Sequence, residues 1–258
     1  MRKVFVIGIG TGDPEQVTVQ AIRAMNSVDV FFLIDKGAVA VDLVQLRKDI
    51  CERYVTERAY RVVEVRDPPR DRAAEAYRPA VAAWHAQRAD SLSASIRDEL
   101  GTDECGAFLV WGDPSLYDST LRILDQVLAA GDVAFDYEVI PGVSSIQSLA
   151  ARHRLPLNEI GEGILITTGR RLAEDWERGI DNVLVMLDGG CAFARLDPAN
   201  VEIFWGAYLG TADEITLSGP LGEVSELIRQ TRDRARANKG WIMDTYLLRR
   251  RREQRDSI

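Results

Sequence analysis

The sequence predicts an α/β protein of two domains, with a mostly parallel five-stranded sheet in residues 1–155 and a mixed sheet in residues 156–258. Three observations support this prediction. Short β-branched runs alternate with helix-like segments in the first half, which is the spacing of βαβ units. A turn-rich stretch, RHRLPLNEIGEG, then interrupts the pattern. The second half has five more apolar runs but one long helical segment, which favours a mixed sheet.

The first domain takes its strands from apolar runs that recur along the chain. These are VFVIGIG, DVFFLID, YRVVEV, AFLVWGDP and DYEVIPG. Between them, Thr18 is a candidate N-cap for a helix in TVQAIRAMNS, DLVQLRKDICERY has apolar residues three and four apart, and Gly131 closes STLRILDQVLAAG. The stretch from Asp71 to Leu100 is also helix-prone. Pro79 lies in its interior and predicts a kink or a division into two helices.

The second domain takes its strands from GILITTG, NVLVMLDGG, VEIFWGAY, DEITLSG and GWIMDTYLL. The one convincing helix in this half is EVSELIRQTRDRARAN, and the basic terminus RRRREQRDSI is predicted to be a solvated tail. Two domains of this size leave room for a ligand cleft between them.

The composition limits the class of partner. The formal net charge of -8 opposes attraction to phosphate backbones and anionic lipid, so we expect neither nucleic acid nor membrane as a partner. The longest apolar stretch, VDVFFLI, is too short to span a bilayer. The first predicted element is a strand, which does not resemble the apolar region of a secretory signal. These two observations predict a cytoplasmic protein. Cys51, Cys105 and Cys191 are far apart, and with His85 and His153 they form no zinc-ligand pattern, so we expect no metal site.

The first strand ends in a glycine-rich turn, VFVIGIGTGDPE, that indicates close approach of a ligand to backbone. In a dinucleotide-binding turn the glycines follow G-x-G-x-x-G, but here Asp13 occupies the third glycine position. A carboxylate there would repel a pyrophosphate, and no Lys follows Gly12 to complete a phosphate-binding loop. The turn therefore favours a small ligand that is not a polyphosphate.

The other predicted strand ends have similar chemistry. They read WGDP, PGVSS, TTGR, MLDGG and WGAYLG, which are mostly glycines and small hydroxyl residues. Ligands of open α/β sheets bind at the carboxyl ends of strands, and such residues suit contacts between backbone and ligand. Each glycine alone is compatible with an ordinary turn, but six strand ends of one character indicate a binding site.

Three of these motifs, in this order, resemble the signature of the tetrapyrrole methyltransferases. They are IGIGTGDP at residues 7–14, GDP at residues 112–114 and PGVSS at residues 141–145. VLVMLDGG resembles the Met-bearing strand of the family and GAYLGTADEITLSGPL its closing segment, so the resemblance covers nearly the whole chain. Three departures stand out: Thr11 replaces the usual Pro, Trp111 a common Gly, and Pro220 a common Thr.

The resemblance implies a protein that methylates a tetrapyrrole with S-adenosylmethionine and forms a homodimer. The residues that it implies for the cofactor are Gly10, Trp111, Gly112, Asp113, Ser144, Ser145, Met186, Leu187, Ala207, Tyr208 and Pro220. Asp113 is expected to contact the cofactor directly, and the alternative is an Asp-Pro turn residue. Arg170 and Arg171 are implied for the carboxylates of the substrate, and the alternative is a solvated helix start.

Methyl transfer from a sulfonium requires few catalytic side chains, because the leaving group is already activated and the protein supplies mainly orientation. The candidates for a base or a polarising donor that faces the tetrapyrrole are Asp13, Tyr117, His153 and Glu162, which the sequence does not rank. His153 is equally compatible with a histidine at a helix end.

Three other interpretations remain at this point. In a nicotinamide-dependent dehydrogenase, Asp35 at the end of the second strand would hold a ribose hydroxyl, although Asp13 and the repeated GDP and PGVSS ends disfavour it. A binding protein that has kept the fold without turnover is a second, since a pocket alone does not establish catalysis. The third concerns the site of methylation: members of the family methylate different carbons of the ring, and the sequence does not fix which one.

Overall fold

A computed structural model describes residues 1–35, 41–68, 77–176 and 180–251. Contacts between Cα atoms divide the chain into two compact units, Met1–Ser144 and Ser145–Ile258. In the described residues, none of the helices is long and apolar enough to cross a membrane.

The first unit is built on a five-stranded sheet in the order β3-β2-β4-β1-β5. All four pairs of neighbouring strands are parallel, which confirms the predicted sheet. The described elements in chain order are β1 (Arg2–Gly8), α1 (Val19–Met25), β2 (Val30–Asp35), α2 (Val41–Tyr54), β3 (Arg61–Arg66), α3 (Tyr77–Glu99), β4 (Cys105–Val110), α4 (Thr120–Ala130) and β5 (Phe135–Ile140), with a short 3-10 turn at Pro14–Gln16.

Helices cover both faces of this sheet. Along β1, Val4 and Val6 pack into one core with residues of α3 and α4. Phe5 and Ile7 alternate with them and pack into a second core with α1 and α2. This alternation buries the strand on both sides, as expected of a parallel sheet. Because all five strands are parallel, their carboxyl ends lie at one edge. Cys51 lies in the second core, where burial raises the pKa of its thiol to about 12.

The predicted helix ends are confirmed at two places, and the effect predicted for Pro79 stays a prediction. The hydroxyl of Thr18 accepts a hydrogen bond of 3.0 Å from the amide of Ala21, and Gly131 ends α4 with a φ of 78°. Helix α3 spans Tyr77–Glu99 without a break in the described residues, and Pro79 lies near the start of that described part. Residues 71–76 lie outside the described residues, so the structure does not test whether the segment from Asp71 to Leu100 divides at Pro79.

The second unit is built on a mixed sheet in the order β6-β7-β10-β8-β9. Strands β6 and β7 are parallel and the other pairs are antiparallel, which confirms the prediction. The described elements are α5 (Ser145–His153), β6 (Ile164–Thr168), α6 (Gly169–Asp175), β7 (Asn182–Met186), β8 (Val201–Ala207), β9 (Ile215–Pro220), α7 (Leu221–Lys239) and β10 (Asp244–Arg250), with a 3-10 turn at Ala192–Arg195.

Two features of the second unit differ from the sequence-based expectation. The units divide before α5 because this helix contacts β8, β9 and β10, whereas the predicted limits 1–155 and 156–258 place it in the first domain. Those limits stay a prediction about domains that fold independently. The predicted tail begins too early, because Arg249 and Arg250 belong to β10. Arg249 donates hydrogen bonds to the side chain of Asn182 and to the carbonyl of Pro156, and residues 252–258 lie outside the described residues.

We predict that Gly106→Ala destabilises the first unit. A Cβ at Gly106 in β4 would lie 2.8 Å from Cε2 of Phe32, whose ring stacks on Phe108. Overpacking of this kind costs about 1–3 kcal/mol, partly offset by the lower entropy of the unfolded chain. The matched control is Gly163→Ala, where the added Cβ meets nothing within 4 Å. Urea denaturation of both variants is the measurement, and equal stabilities would contradict the packing described here.

Candidate functional site

Three glycines bring the ends of the adjacent strands β4, β1 and β5 of the first sheet into backbone contact. A Cβ on Gly142 would lie 2.2 Å from the carbonyl oxygen of Gly112 and 2.8 Å from Cα of Gly8. A Cβ on Gly8 would lie 2.6 Å from the amide nitrogen of Gly142. Distances this short leave no room for a side chain at either position. Gly8 and Gly142 are therefore required by contact of the chain with itself.

Gly112 has a different role from the other two glycines. Its amide donates a hydrogen bond of 2.7 Å to the carbonyl of Gly10, and both residues are left-handed, with φ of 68° and 80°. A Cβ on Gly112 would meet only Cα of Ser144, at an ordinary 3.7 Å. Space is therefore open beside Gly112, whereas a Cβ on Gly10 would lie 2.8 Å from Cβ of Gln16. Of the glycines at this edge, Gly112 best matches the prediction of close approach by a ligand.

Hydrogen bonds from side chains stiffen the loop after β1. Thr11 is buried, and both its amide and its hydroxyl donate to Oε1 of Gln16, at 3.0 and 2.7 Å. Asp13 caps the 3-10 turn, because its Oδ1 accepts a hydrogen bond of 2.9 Å from the amide of Glu15. One oxygen of this candidate base therefore has a structural role.

The carboxylate of Asp113 links the loops after β4 and β5. Its Oδ1 accepts from the amide of Ser115 at 2.8 Å and from the Ser115 hydroxyl, and its Oδ2 accepts from the amide of Gly142 at 2.9 Å. Burial alone would raise the pKa of Asp113, but the hydrogen bonds from Ser115 and Gly142 outweigh it and lower that pKa. The alternative named from the sequence, an Asp-Pro turn residue, is therefore present. Direct contact with a cofactor stays a prediction.

The remaining predicted residues of the first unit follow the same strand ends. Trp111 is half-buried next to Gly112, and Ser144 is buried in the loop after β5. Tyr117 lies beyond Asp113 in the loop after β4, where its φ is 53° and 41% of its surface is exposed. The structure therefore brings Gly10, Trp111, Gly112, Asp113 and Ser144 together at one edge.

The register of the second sheet groups most of the predicted residues at one edge. Thr245 of β10 lies opposite both Met186 of β7 and Gly206 of β8, and Asp244 lies opposite Ala207. Leu187 and Tyr208 follow at the same edge. Met186 is also paired with Thr168 of β6, so that Arg170 and Arg171, which are exposed at the start of α6, follow there too. Ser145 begins α5 and is half-buried.

The structure does not place Pro220 or Glu162 at that edge. Strand β9 is antiparallel to β8, so its last residue, Pro220, pairs with Glu202 near the start of β8. Glu162 accepts a hydrogen bond of 3.0 Å from the side chain of Asn182, the first residue of β7. Both residues therefore lie at the opposite edge of the sheet from Met186 and Ala207, and contact of Pro220 with the cofactor stays a prediction.

His153 and Tyr208 use their polar groups within the protein. Nε2 of His153 lies 3.1 Å from the carbonyl of Trp205, and its ring lies edge-on to Phe204. Burial lowers the pKa of His153, so the neutral ring, which donates through Nε2, is favoured. The hydroxyl of Tyr208 donates to the carbonyl of Trp241 at 2.6 Å. Both residues connect secondary-structure elements.

A buried polar network beneath this edge was missed by the sequence analysis. Asp188 accepts hydrogen bonds from the Tyr246 hydroxyl and from the amides of Gly190 and Ala192. Burial and the adjacent Asp188 raise the pKa of Tyr246, which keeps its phenol protonated as a donor. Arg232 joins the network through the Asp188 carbonyl. The only signal in the sequence is the Asp-Gly-Gly of VMLDGG, which is typical of a side-chain-stabilised turn.

A parallel sheet with glycine-rich strand ends, followed by a mixed sheet, defines an α/β protein of two compact units. The chain matches the family model of the tetrapyrrole (corrin/porphyrin) methylases over residues 3–225, and it belongs to that family. The family membership confirms the resemblance stated from the three motifs and contradicts the interpretation as a nicotinamide-dependent dehydrogenase.

Individual relatives support the same assignment. The chain is 53% identical over 250 residues to a precorrin-6A synthase [deacetylating] of Sinorhizobium sp., which covers 97% of this chain and 96% of the relative. A crystal structure of a cobalamin synthesis related protein (CobF) from Corynebacterium diphtheriae has a TM-score of 0.83 and 39% identity, covering 97% and 99% of the two chains. A uroporphyrin-III C-methyltransferase from Thermus thermophilus, complexed with S-adenosylhomocysteine, shares the fold at a TM-score of 0.56 and 20% identity, covering 95% and 91%.

We predict that Asp113→Asn loosens the loops after β4 and β5. An amide keeps the shape but loses acceptor capacity for Ser115 or Gly142, which costs about 1–3 kcal/mol of unfolding free energy. The matched control is Asp197→Asn, which alters another Asp-Pro turn, where the Asp197 carboxylate accepts a hydrogen bond from the amide of Ala199 in an exposed loop. Denaturant titration at pH 7 compares the two, and a smaller loss for Asp113→Asn would contradict the linking role.

A second prediction concerns pH. The pKa of His153 is lowered in the folded protein, so the unfolded chain binds the proton more readily. The unfolding free energy should fall as the pH drops through about 6.5, the pKa of an unfolded histidine. His153→Gln retains a donor for the Trp205 carbonyl and should show a smaller loss between pH 7.5 and 5.5, measured by urea denaturation. The same loss in both proteins would exclude His153 as the cause.

Proposed function

We propose that the protein is an S-adenosylmethionine-dependent methyltransferase that methylates precorrin-5 at carbon 1 and releases acetate, which gives precorrin-6A in aerobic cobalamin biosynthesis. The observation that carries this proposal is the 53% identity to a precorrin-6A synthase [deacetylating] along almost the full length of both chains. Membership of the tetrapyrrole methylases supports the reaction class.

The cofactor in this proposal is held largely by main chain. Gly112 leaves space beside its Cα, and the bridge with Gly10 fixes the orientation of its backbone. Trp111, Asp113, Ser144 and Ser145 complete the contacts proposed for the first two motifs. Met186, Leu187, Ala207 and Tyr208 lie at one edge of the second sheet and are proposed for the same ligand. Bound S-adenosylmethionine supplies an activated methyl group, and the loops orient it.

Side chains of the protein are needed to bind the substrate and to release acetate more than to transfer the methyl group. Arg170 and Arg171 are exposed at the start of α6 and are proposed to pair with substrate carboxylates, because guanidinium groups bind carboxylates bidentately. Release of acetate requires water to attack the acetyl carbonyl. Tyr117, exposed in the loop after β4, and Asp13 in the loop after β1 are the residues that we propose for this step. His153 is the less favoured candidate, because its Nε2 lies within hydrogen-bond distance of the Trp205 carbonyl.

The proposal also includes a cytoplasmic homodimer. The net charge of -8 argues against nucleic acid and anionic membranes as partners. Sedimentation that gives a monomer at micromolar concentration would contradict the dimer without affecting the proposed reaction.

Turnover of precorrin-5 tests the reaction directly. Incubation of the purified protein with S-adenosylmethionine and precorrin-5 should yield a methylated ring by mass spectrometry and one acetate per methyl transferred. A methylated product without acetate would indicate another ring methyltransferase of the family. Binding of S-adenosylhomocysteine without any product would indicate a protein that has kept the site but lost turnover.

Gly112→Val tests the cofactor site. The valine side chain would fill the space beside Gly112, so we expect binding of S-adenosylhomocysteine, measured by calorimetry, to be abolished. The matched control is Gly131→Val, since Gly131 also has a positive φ, 78°, and open space around it, but it ends α4. Both variants carry the same backbone strain, and only Gly112→Val should lose binding. Equal affinities in the two folded variants would exclude this loop from the cofactor site.

A further inference from the structure

The loop after β7 is organised around one buried carboxylate. Asp188 is 6% exposed, and its side chain accepts from the amide of Gly190 at 2.9 Å and from the amide of Ala192 at 2.6 Å. The hydroxyl of Tyr246 in β10 donates to the same carboxylate at 2.7 Å. A loop of five residues is therefore attached to the centre of the sheet through this carboxylate.

Two further elements converge on Asp188. A Cβ on Gly169, the first residue of α6, would lie 2.3 Å from Cγ of Asp188, so α6 begins in contact with the carboxylate. Nη2 of Arg232 in α7 donates to the Asp188 carbonyl at 2.8 Å, and the same guanidinium is paired with buried Asp244. Any displacement of Asp188 would therefore disturb contacts with α6, α7 and β10 as well as the end of β7.

The network holds the adjacent residue in a conformation that its sequence disfavours. Leu187 has a φ of 54° and is 66% exposed, and Cys191 at the other end of the loop has a φ of 52°. A left-handed conformation is unfavourable for a residue other than glycine and persists only where the surroundings enforce it. Asp188, immediately after Leu187, provides such enforcement.

Stability of the core does not by itself account for these buried polar groups. A buried ionic network contributes little net stability, because the cost of removing charges from water offsets their attraction, and apolar residues of similar volume serve equally well. Asp244 lies opposite Ala207, Tyr246 lies opposite Val185, one residue before Met186, and Arg232 is paired with Asp244, so the network adjoins the edge that carries Met186 and Ala207. Accurate placement of that edge is what such a network provides.

We propose that Asp188 and Tyr246 are positioning residues for methyl transfer, which set the backbone of Met186 and Leu187 in the conformation that contacts the cofactor. The inference rests on the proposed function. Neither residue need touch the ligand, because both act through the loop 187–191.

Tyr246→Phe tests this inference, since it removes the hydroxyl and keeps the buried ring against Phe193. The matched control is Tyr137→Phe in β5, which also deletes a 2.7 Å hydrogen bond from a tyrosine to an aspartate, Asp125, but in the first unit. Two readouts are compared in the full-length proteins. They are the hydrogen-exchange rates of the Gly190 and Ala192 amides without ligand, and the S-adenosylhomocysteine affinity by calorimetry.

We expect Tyr246→Phe to speed exchange at both amides and to weaken S-adenosylhomocysteine binding about five- to tenfold, the size of one buried hydrogen bond. Tyr137→Phe should change neither. In turnover, Tyr246→Phe should raise KM for S-adenosylmethionine or lower kcat while the protein remains folded by circular dichroism.

Two outcomes would overturn the inference in distinguishable ways. If Tyr246→Phe lowers the thermal midpoint but binds S-adenosylhomocysteine as the wild type does, the network is only structural and the proposed function stands. If the wild type binds no S-adenosylhomocysteine while the two amides still respond to Tyr246→Phe, the loop is positioned as described but the proposed function fails, and the inference fails with it.

Discussion

The contact between three backbones at the end of the parallel sheet is the constraint on which the rest of the first unit depends. Gly8 and Gly142, at the ends of β1 and β5, leave no room for a side chain, because their backbones contact each other and the carbonyl oxygen of Gly112 after β4. Because the strands are parallel, their loops leave the sheet at one edge, and this contact packs the loops into a single surface of amides and carbonyls. Such a surface suits recognition of a small polar ligand through main chain.

Aspartate carboxylates fasten the loops that this packing creates. Asp13 and Asp113 each accept a hydrogen bond from the amide two residues further on, and Asp113 also accepts one from the amide of Gly142. In the second unit, Asp188 likewise accepts hydrogen bonds from the amides of Gly190 and Ala192. Acidic side chains near the strand ends therefore serve mainly to hold backbone in place. That is consistent with methyl transfer from an activated donor, for which orientation is the main contribution of the protein.

The features that could be predicted from the sequence are those that depend on residues close together in the chain. The ten strands, the Thr18 cap and the end of α4 at Gly131 follow from burial alternation, capping and turn chemistry. The position of Pro220 could not be predicted locally, because the direction of β9 is set by its pairing with β8. The network of Asp188 was invisible, since Arg232 and Tyr246 are distant in the chain and meet only in the folded unit.

The loop after β1 achieves its stiffness by different means from those of the family pattern. Where that pattern has a proline, this chain has Thr11, whose amide and hydroxyl both depend on one oxygen of Gln16. A proline ring is rigid on its own, whereas this arrangement needs two residues at once. Positions 11 and 16 are therefore coupled, because both hydrogen bonds need the side chain of Gln16 and one of them also needs the hydroxyl of Thr11. Truncation of either side chain alone would remove at least one of them, whereas transfer of the whole loop would keep the two residues together.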